Sequence, residues 1–173
     1  MSQTRVKITG SGVGLREWTA DDLPAMVGIF DDPEVAYRTP IASPFDLAAA
    51  EAYLLKVQQA RAEETRIHLA ITAGDGTPRG EVLLNLATGS IAYTVGAEFR
   101  GQGLARQAAA LLTEYAHQKI GITQVRAEIE ADNQASIRVV EELGYRRSGE
   151  EPVAVDDGRR CLTLHTWIHE VCA

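Results

Sequence analysis

A mixed α/β fold is what this sequence predicts, and three stretches predict it. Residues 91–95 read as a strand and residues 104–120 as a long helix, joined by the glycine turn Arg100-Gly101-Gln102-Gly103-Leu104-Ala105. Residues 68–72 and 80–86 bracket the turn-rich Gly74-Asp75-Gly76-Thr77-Pro78 and so read as an antiparallel hairpin. Val125, Ala127 and Ile129 alternate with Gln124, Arg126, Glu128 and Glu130, which describes a strand with two unlike faces, and a helical pattern follows.

From the N-terminus, Leu15-Arg16-Glu17-Trp18 gives a short first strand. Thr19 then caps a helix, with Asp22 in the place that a capping box gives to glutamate. Leu23, Met26, Val27 and Phe30 recur at helical spacing until Asp31-Asp32-Pro33 stops them. A short helical turn through Val35 leads into Tyr37-Arg38-Thr39-Pro40, which the prolines confine to loop. A second long helix starts at Asp46 or Ser43, carries Leu47, Ala50, Leu54 and Val57 as its apolar stripe, and runs out in the charged segment 61–66. The hairpin and the strand at 91–95 form a meander that delivers the chain to the glycine turn. The helix beyond buries Leu104, Ala108, Leu112 and Tyr115 and stops at Gly121. The last helix begins around Asp132-Asn133, shows Ser136, Val139, Val140 and Leu143 on one face, and ends at Gly144. Asp157-Gly158 turns a final hairpin whose second arm is residues 161–168.

With 173 residues, 45% hydrophobic and 24% charged, the chain has room for one globular domain over residues 1–173. Arg5 and Lys7 precede no continuous apolar run, and nowhere are there about eighteen consecutive apolar residues, so no signal peptide or membrane span is expected. The expected compartment is the cytoplasm, and two cysteines imply no disulfide framework. A net charge of −7 argues against nucleic acid as a partner, because phosphate backbones need clustered Lys and Arg, and slightly favours cationic substrates.

The glycine turn carries the chemistry. Two glycines one residue apart allow backbone angles closed to other residues and bring the main chain near a ligand with no Cβ in the way, where a helix presents unpaired N–H groups. Such a cradle suits a phosphate or pyrophosphate, to which Arg100 and Arg106 could add charge-assisted bonds. It is not a P-loop, since no Gly-Lys-Ser/Thr occurs, nor a Rossmann turn, since Arg106 stands where the third glycine belongs.

What remains matches the Gln/Arg-x-x-Gly-x-Gly/Ala signature of the Gcn5-related N-acetyltransferases (GNAT), with Arg100, Gly103 and Ala105 at its defining places. The order of elements is similar to that whole fold. The stretches Leu15-Arg16-Glu17-Trp18-Thr19-Ala20-Asp21-Asp22, Asp32-Pro33-Glu34-Val35, Asn133-Gln134-Ala135-Ser136-Ile137-Arg138-Val139 and Leu143-Gly144-Tyr145 resemble the branch of ribosomal-protein N-terminal (RimJ/RimL-like) acetyltransferases. The resemblance implies a mixed, mostly antiparallel central sheet flanked by helices on both faces and splayed between the fourth and fifth strands. It implies acetyl-CoA as donor, held at its pyrophosphate by the amides of Gly101, Gln102, Gly103, Leu104 and Ala105 and at its pantetheine arm by the backbone near Val95 and Ala97. A main-chain N–H, that of Val95, would then stabilise negative charge on the carbonyl oxygen, and Asn133 and Ser136 would contact the arm and thiol. A homodimer is a further implication.

Direct attack by an amine is the family's route, and the amine must be neutral. An α-amino group near ~8 is about a tenth deprotonated at pH 7, while a lysine-like amine near ~10.4 is neutral about once in two thousand. A protein N-terminus therefore needs little help, whereas a polyamine or aminosugar needs a base. The acceptor is accordingly read as a protein α-amino group, with a small-molecule amine as the alternative and a non-catalytic acyl-CoA sensor as the rival class. Glu128 is the base candidate, at a spacing before Asn133 that resembles some N-terminal acetyltransferases; the competing reading is a solvated strand residue. Glu81 is a second carboxylate, with a structural role as its alternative. Ser136 is the candidate to protonate the thiolate, against merely satisfying backbone at the helix start. Many family members carry a tyrosine acid seven residues after the asparagine; here that residue is Val140.

Cys161, His165, His169 and Cys172 lie close in sequence, but their spacing fits neither a zinc finger nor a zincin helix, so no metal is expected. Trp18, Tyr37, Phe45 and Tyr53 come from the region that borders the acceptor cleft in the similar fold and line that cleft or the core.

Overall fold

In a computed structural model, which describes residues 4–10 and 12–171, strands and helices follow the predicted order with two strands added. The strands are β1 (Lys7–Gly10), β2 (Val13–Glu17), β3 (Arg66–Thr72), β4 (Pro78–Asn85), β5 (Ser90–Val95), β6 (Gln124–Glu130), β7 (Arg146–Arg147), β8 (Val153–Asp156) and β9 (Cys161–Glu170). The helices are α1 (Leu23–Phe30), α2 (Pro33–Arg38), α3 (Leu47–Ala62), α4 (Leu104–Tyr115) and α5 (Gln134–Glu142). They build one sheet in the order β1-β2-β3-β4-β5-β6-β9-β7, with β8 also on β9.

Every pairing is antiparallel except β5 with β6, which run parallel. That pair meets only at Ser90 with Arg126 and Ile91 with Ala127. Beyond Ile91 the two strands diverge, and this is the predicted splay, displaced by one in strand number because β1 precedes the expected first strand. The short β1 is the edge strand, paired only with β2, and it alternates between exposed and half-buried positions rather than the buried ones that mark β6.

Both faces of β3 and β4 are covered, so these strands read as nearly continuous buried runs. On one face Leu15, Leu69, Val82 and Ile91 pack with Leu104, Ala108 and Leu112 of α4 and Val140 of α5. On the other, Ala70 and Trp18 pack with Met26 and Phe30 of α1 and with Leu54 and Val57 of α3.

Helix ends follow local chemistry. Thr19 and Asp22 make the expected capping box, although the residues they cap form a 3-10 turn at Ala20–Asp22 that continues into α1. Asp46, rather than Ser43, caps α3 by accepting from the Ala49 N–H at 2.9 Å. The expected loop at Tyr37-Arg38 is instead the end of α2. Pro40 restricts only Thr39, which adopts φ −133° and ψ 157°, so the helix that Asp32 caps and Pro33 starts extends to Arg38. The long helix of residues 104–120 divides into α4 and a single π turn at Ala116–Ile120, and Gly121 ends it at φ +84°.

Candidate acyl-CoA site

The glycine turn forms an open cradle. Gly101 and Gly103 adopt φ +76° and +77°, which glycine alone adopts without strain, and Gly103 is the N-cap of α4. No side chain caps this helix, so the first-turn N–H groups of Leu104, Ala105 and Arg106 lack an internal partner. Gly101, Gln102 and Gly103 are exposed.

The two guanidiniums expected at this cradle both have protein partners. Arg100 turns back along β5, donating from Nε to the Val95 carbonyl at 3.1 Å and from Nη2 to Asp32 Oδ1 at 3.0 Å. Arg106 pairs with Glu142 at 3.5 Å. Ala97 opens a short 3-10 turn (Ala97–Phe99) between strand and cradle and is exposed.

Ladder geometry decides where Val95 points. The Gly96 N–H donates to the Arg79 carbonyl at 2.8 Å, and Gly80 lies opposite Val95. In an antiparallel pair, bonded and non-bonded positions alternate, so the Val95 N–H turns away from β4 and into the gap that β6 has left. Gly80 permits this approach: a Cβ there would stand 2.3 Å from the Thr94 carbonyl oxygen.

Across the gap, α5 begins with Asn133, whose Oδ1 caps the helix by accepting from the Ser136 N–H at 3.2 Å. Ser136 Oγ donates to the Tyr93 hydroxyl at 2.9 Å, and that hydroxyl donates to the Ser136 carbonyl at 2.9 Å. Burial pushes the Tyr93 phenol up to about 12, outweighing the stabilising bond from Ser136. Val140 is fully buried in the core between sheet and helices. Gln134, Ile137 and Glu141 of α5 line a cavity of about 370 Å³ with Ile129, His165 and Trp167.

The three candidate acid–base residues sit in different settings. Glu128 lies on the β6 arm just past the last residue paired with β5, exposed and opposite Thr166. Among the described residues it has no hydrogen-bond or ion-pair partner. Glu81 is 4% exposed and both its oxygens are taken, by Trp18 Nε1 at 2.8 Å and the Tyr53 hydroxyl at 2.6 Å. It therefore ties α3 and the segment before α1 to β4, beside His68 Nδ1 at 3.3 Å. Ser136 stands at the gap's edge, half-buried.

Helix α2 bridges the mouth of the gap. At one end Asp32 holds Arg100, and so the tip of β5. At the other, Arg38 binds Glu130 at 2.8 Å and Asp132 at 2.7 Å, at the tip of β6. Arg160, from the turn before β9, grips both Glu130 oxygens at 2.7 Å, stacks 3.8 Å from the Tyr37 ring centroid and donates to the Tyr37 carbonyl. Hydrogen bonding by Arg160, then by Arg38, holds the Glu130 carboxyl below its ordinary range despite its burial.

Of the expected cleft aromatics, Trp18 and Phe45 are core residues around Phe30, Tyr53 serves Glu81, and Tyr37 alone is exposed at the mouth. Among the described residues no cluster of three or more His, Cys, Asp or Glu could hold a metal; Cys172 lies outside them. His165 instead faces Arg147, and His169 faces His117 at 2.9 Å. No helix among the described residues is long and apolar enough to cross a membrane.

Tyr93, Arg38, Glu130 and Arg160 escaped the sequence reading. Tyr93 alone had a local signal, since it shares a strand face with Ile91 and Val95.

Residues 13–146 match the acetyltransferase (GNAT) domain family, and the chain belongs to that family. It is an acyl-CoA-dependent N-acetyltransferase with acetyl-CoA as donor. Solved structures carry the same fold at low identity. A GNAT-family acetyltransferase from Bacillus anthracis is 18% identical with a TM-score of 0.83 over 95% of this chain and 98% of its own. The ribosomal L7/L12 alpha-N-protein acetyltransferase RimL is 13% identical with a TM-score of 0.79 over 98% of this chain and 96% of its own. The microcin C7 self-immunity acetyltransferase MccE, solved with acetyl-CoA and AMP, is 16% identical with a TM-score of 0.76 over 94% of each chain. No curated protein matches the sequence.

Proposed function

We propose that this enzyme acetylates the α-amino group at the N-terminus of a protein by direct attack on acetyl-CoA. One observation carries the proposal: the strands splay past Ile91, with the Val95 N–H turned away from β4 on one arm and the exposed, unpaired carboxylate of Glu128 on the other. The amides of Gly101 to Ala105 hold the pyrophosphate, and the backbone at Val95 and Ala97 pairs with the pantetheine arm. Acetyl-CoA supplies a thioester whose thiol, near ~8.5, is a tolerable leaving group. The Val95 N–H donates to the acyl oxygen, and Glu128 takes the amine proton directly or through water. Asn133 shapes the start of α5, and Ser136 meets the sulfur.

Likeness to RimL supports a protein N-terminus, as does a base candidate, Glu128, with no partner to tune it among the described residues, since an α-amine needs little deprotonation. A small-molecule amine is the second reading, favoured by the bridge of α2 over the mouth, which narrows the approach.

The test is thiol release from acetyl-CoA against pools of short peptides with free N-termini and of small amines, with mass spectrometry of the products. Acetyl on a peptide α-amine supports the proposal, and acetylation of small amines alone overturns it in favour of the second reading. Acetyl-CoA binding with no turnover would point to a sensor. With an acceptor in hand, Glu128→Gln should lower kcat on the order of 10²-fold and leave KM for acetyl-CoA unchanged.

A further inference from the structure

Tyr93 reaches from the β5 arm to the first turn of α5, and its hydroxyl meets one residue twice. A carbonyl only accepts, so the tyrosine proton lies toward the Ser136 carbonyl and the serine proton toward the tyrosine. In this state Ser136 Oγ offers only lone pairs to the gap. A second state has the bonds reversed: Tyr93 donates to Ser136 Oγ, and the serine proton is released toward the gap. The Ser136 carbonyl keeps its helical bond in either state, so the reversal orphans no backbone group.

We propose that Tyr93 is a positioning residue that acts through Ser136, switching the hydroxyl at the gap from acceptor to donor. The first state accepts a hydrogen bond from the thiol of coenzyme A, and the second donates one to its thiolate. The inference rests on the acyl-CoA reading of the gap above. No proton leaves the pair: burial holds the Tyr93 phenol, at about 12, well above a thiol near ~8.5. The other phenol nearby, Tyr145, is raised by burial and engaged with Thr113 at 2.7 Å, so it does not compete.

The thiol of enzyme-bound coenzyme A is titrated through the ultraviolet absorbance of the thiolate, in the wild type and in Ser136→Ala, Tyr93→Phe and the double variant. The wild type should hold the bound thiol below its free value. Ser136→Ala should raise it by about one unit, the order of one charge-assisted hydrogen bond. Tyr93→Phe should raise it by part of that in the wild type and by nothing in the Ser136→Ala background, because it acts only through the serine. An equal shift in both backgrounds, or none in either, overturns the proposal. Failure of the wild type to bind coenzyme A in calorimetry would sink the acyl-CoA reading as well, so the two failures are told apart.

Discussion

Nε of Arg100 donates to the carbonyl oxygen of Val95, which ties the arginine of the cofactor signature to the strand before the cradle. The same guanidinium holds Asp32, which caps α2 through the Glu34 and Val35 N–H groups. One side chain thus joins the β5 arm to the wall of the mouth.

From this tie comes the first prediction. Arg100→Gln loses a hydrogen bond that orients the Val95 peptide, worth about 1 kcal/mol, so KM for acetyl-CoA should rise roughly fivefold. The change should depend little on salt. A loss well beyond tenfold that shrinks as salt is added would instead mean that Arg100 leaves Val95 to grip a phosphate.

Glu81 gives a prediction that separates structure from chemistry. Glu81→Ala strands the buried Trp18 donor and leaves a cavity beside Tyr53, and should destabilise the fold by about 3 kcal/mol in urea unfolding. Glu81→Gln keeps an acceptor for the indole, and its amide can donate to the Tyr53 oxygen while that hydroxyl turns to His68 Nδ1, now 3.3 Å away. It should cost under about 1 kcal/mol and leave kcat within about twofold. A native-like Glu81→Gln with kcat down a hundredfold would return Glu81 to the reacting groups.

Acid should act through Glu130. Its folded pKa is lowered by Arg160 and Arg38, so it binds fewer protons folded than unfolded. The stability it contributes is present above the unfolded value, near ~4.3, and is lost as pH falls through the lower folded value. Glu130→Gln should therefore unfold at lower urea than the wild type at pH 6, with the difference narrowing steadily below about pH 4. A constant difference across that range would show that the carboxyl gains nothing from its arginines.

How much of this was legible in the sequence depended on how local the physics is. Gly101, Gly103, Gly121 and Gly144 announced their turns because each needs φ above zero, and Asn133 announced its helix because a cap acts on the next three residues. The faces of β6 followed from alternation alone. By contrast, Arg38 meets Glu130 across 92 residues and Tyr93 meets Ser136 across 43, and no spacing rule links such positions. Alternation also gave Glu81 and Glu128 each a polar place on a strand, but it could not say that Trp18 and Tyr53 would cover the first and leave the second open. Arg100 was found at the right place, but its bonds to Val95 and Asp32 were not foreseen, because a side chain near an anion cradle is as close to the strand behind it.

Val140 gives the last prediction, because its position in the helix pattern suggests a repair. A tyrosine seven residues after Asn133 is the acid that the family resemblance leads one to expect, and Val140→Tyr would write it in. The structure says that this fails. Val140 has no exposed surface and packs into the core that Leu112 and Val125 share, while the gap is met instead by Ser136, one turn earlier. A phenol there would have to displace that core, at a cost of about 3 kcal/mol or more from overpacking, and its hydroxyl would need a buried partner as well. Val140→Tyr should therefore melt well below the wild type, on the order of 5 °C or more, with kcat no higher. A variant that keeps its Tm and gains kcat would mean that α5 can turn its Val140 face toward the gap.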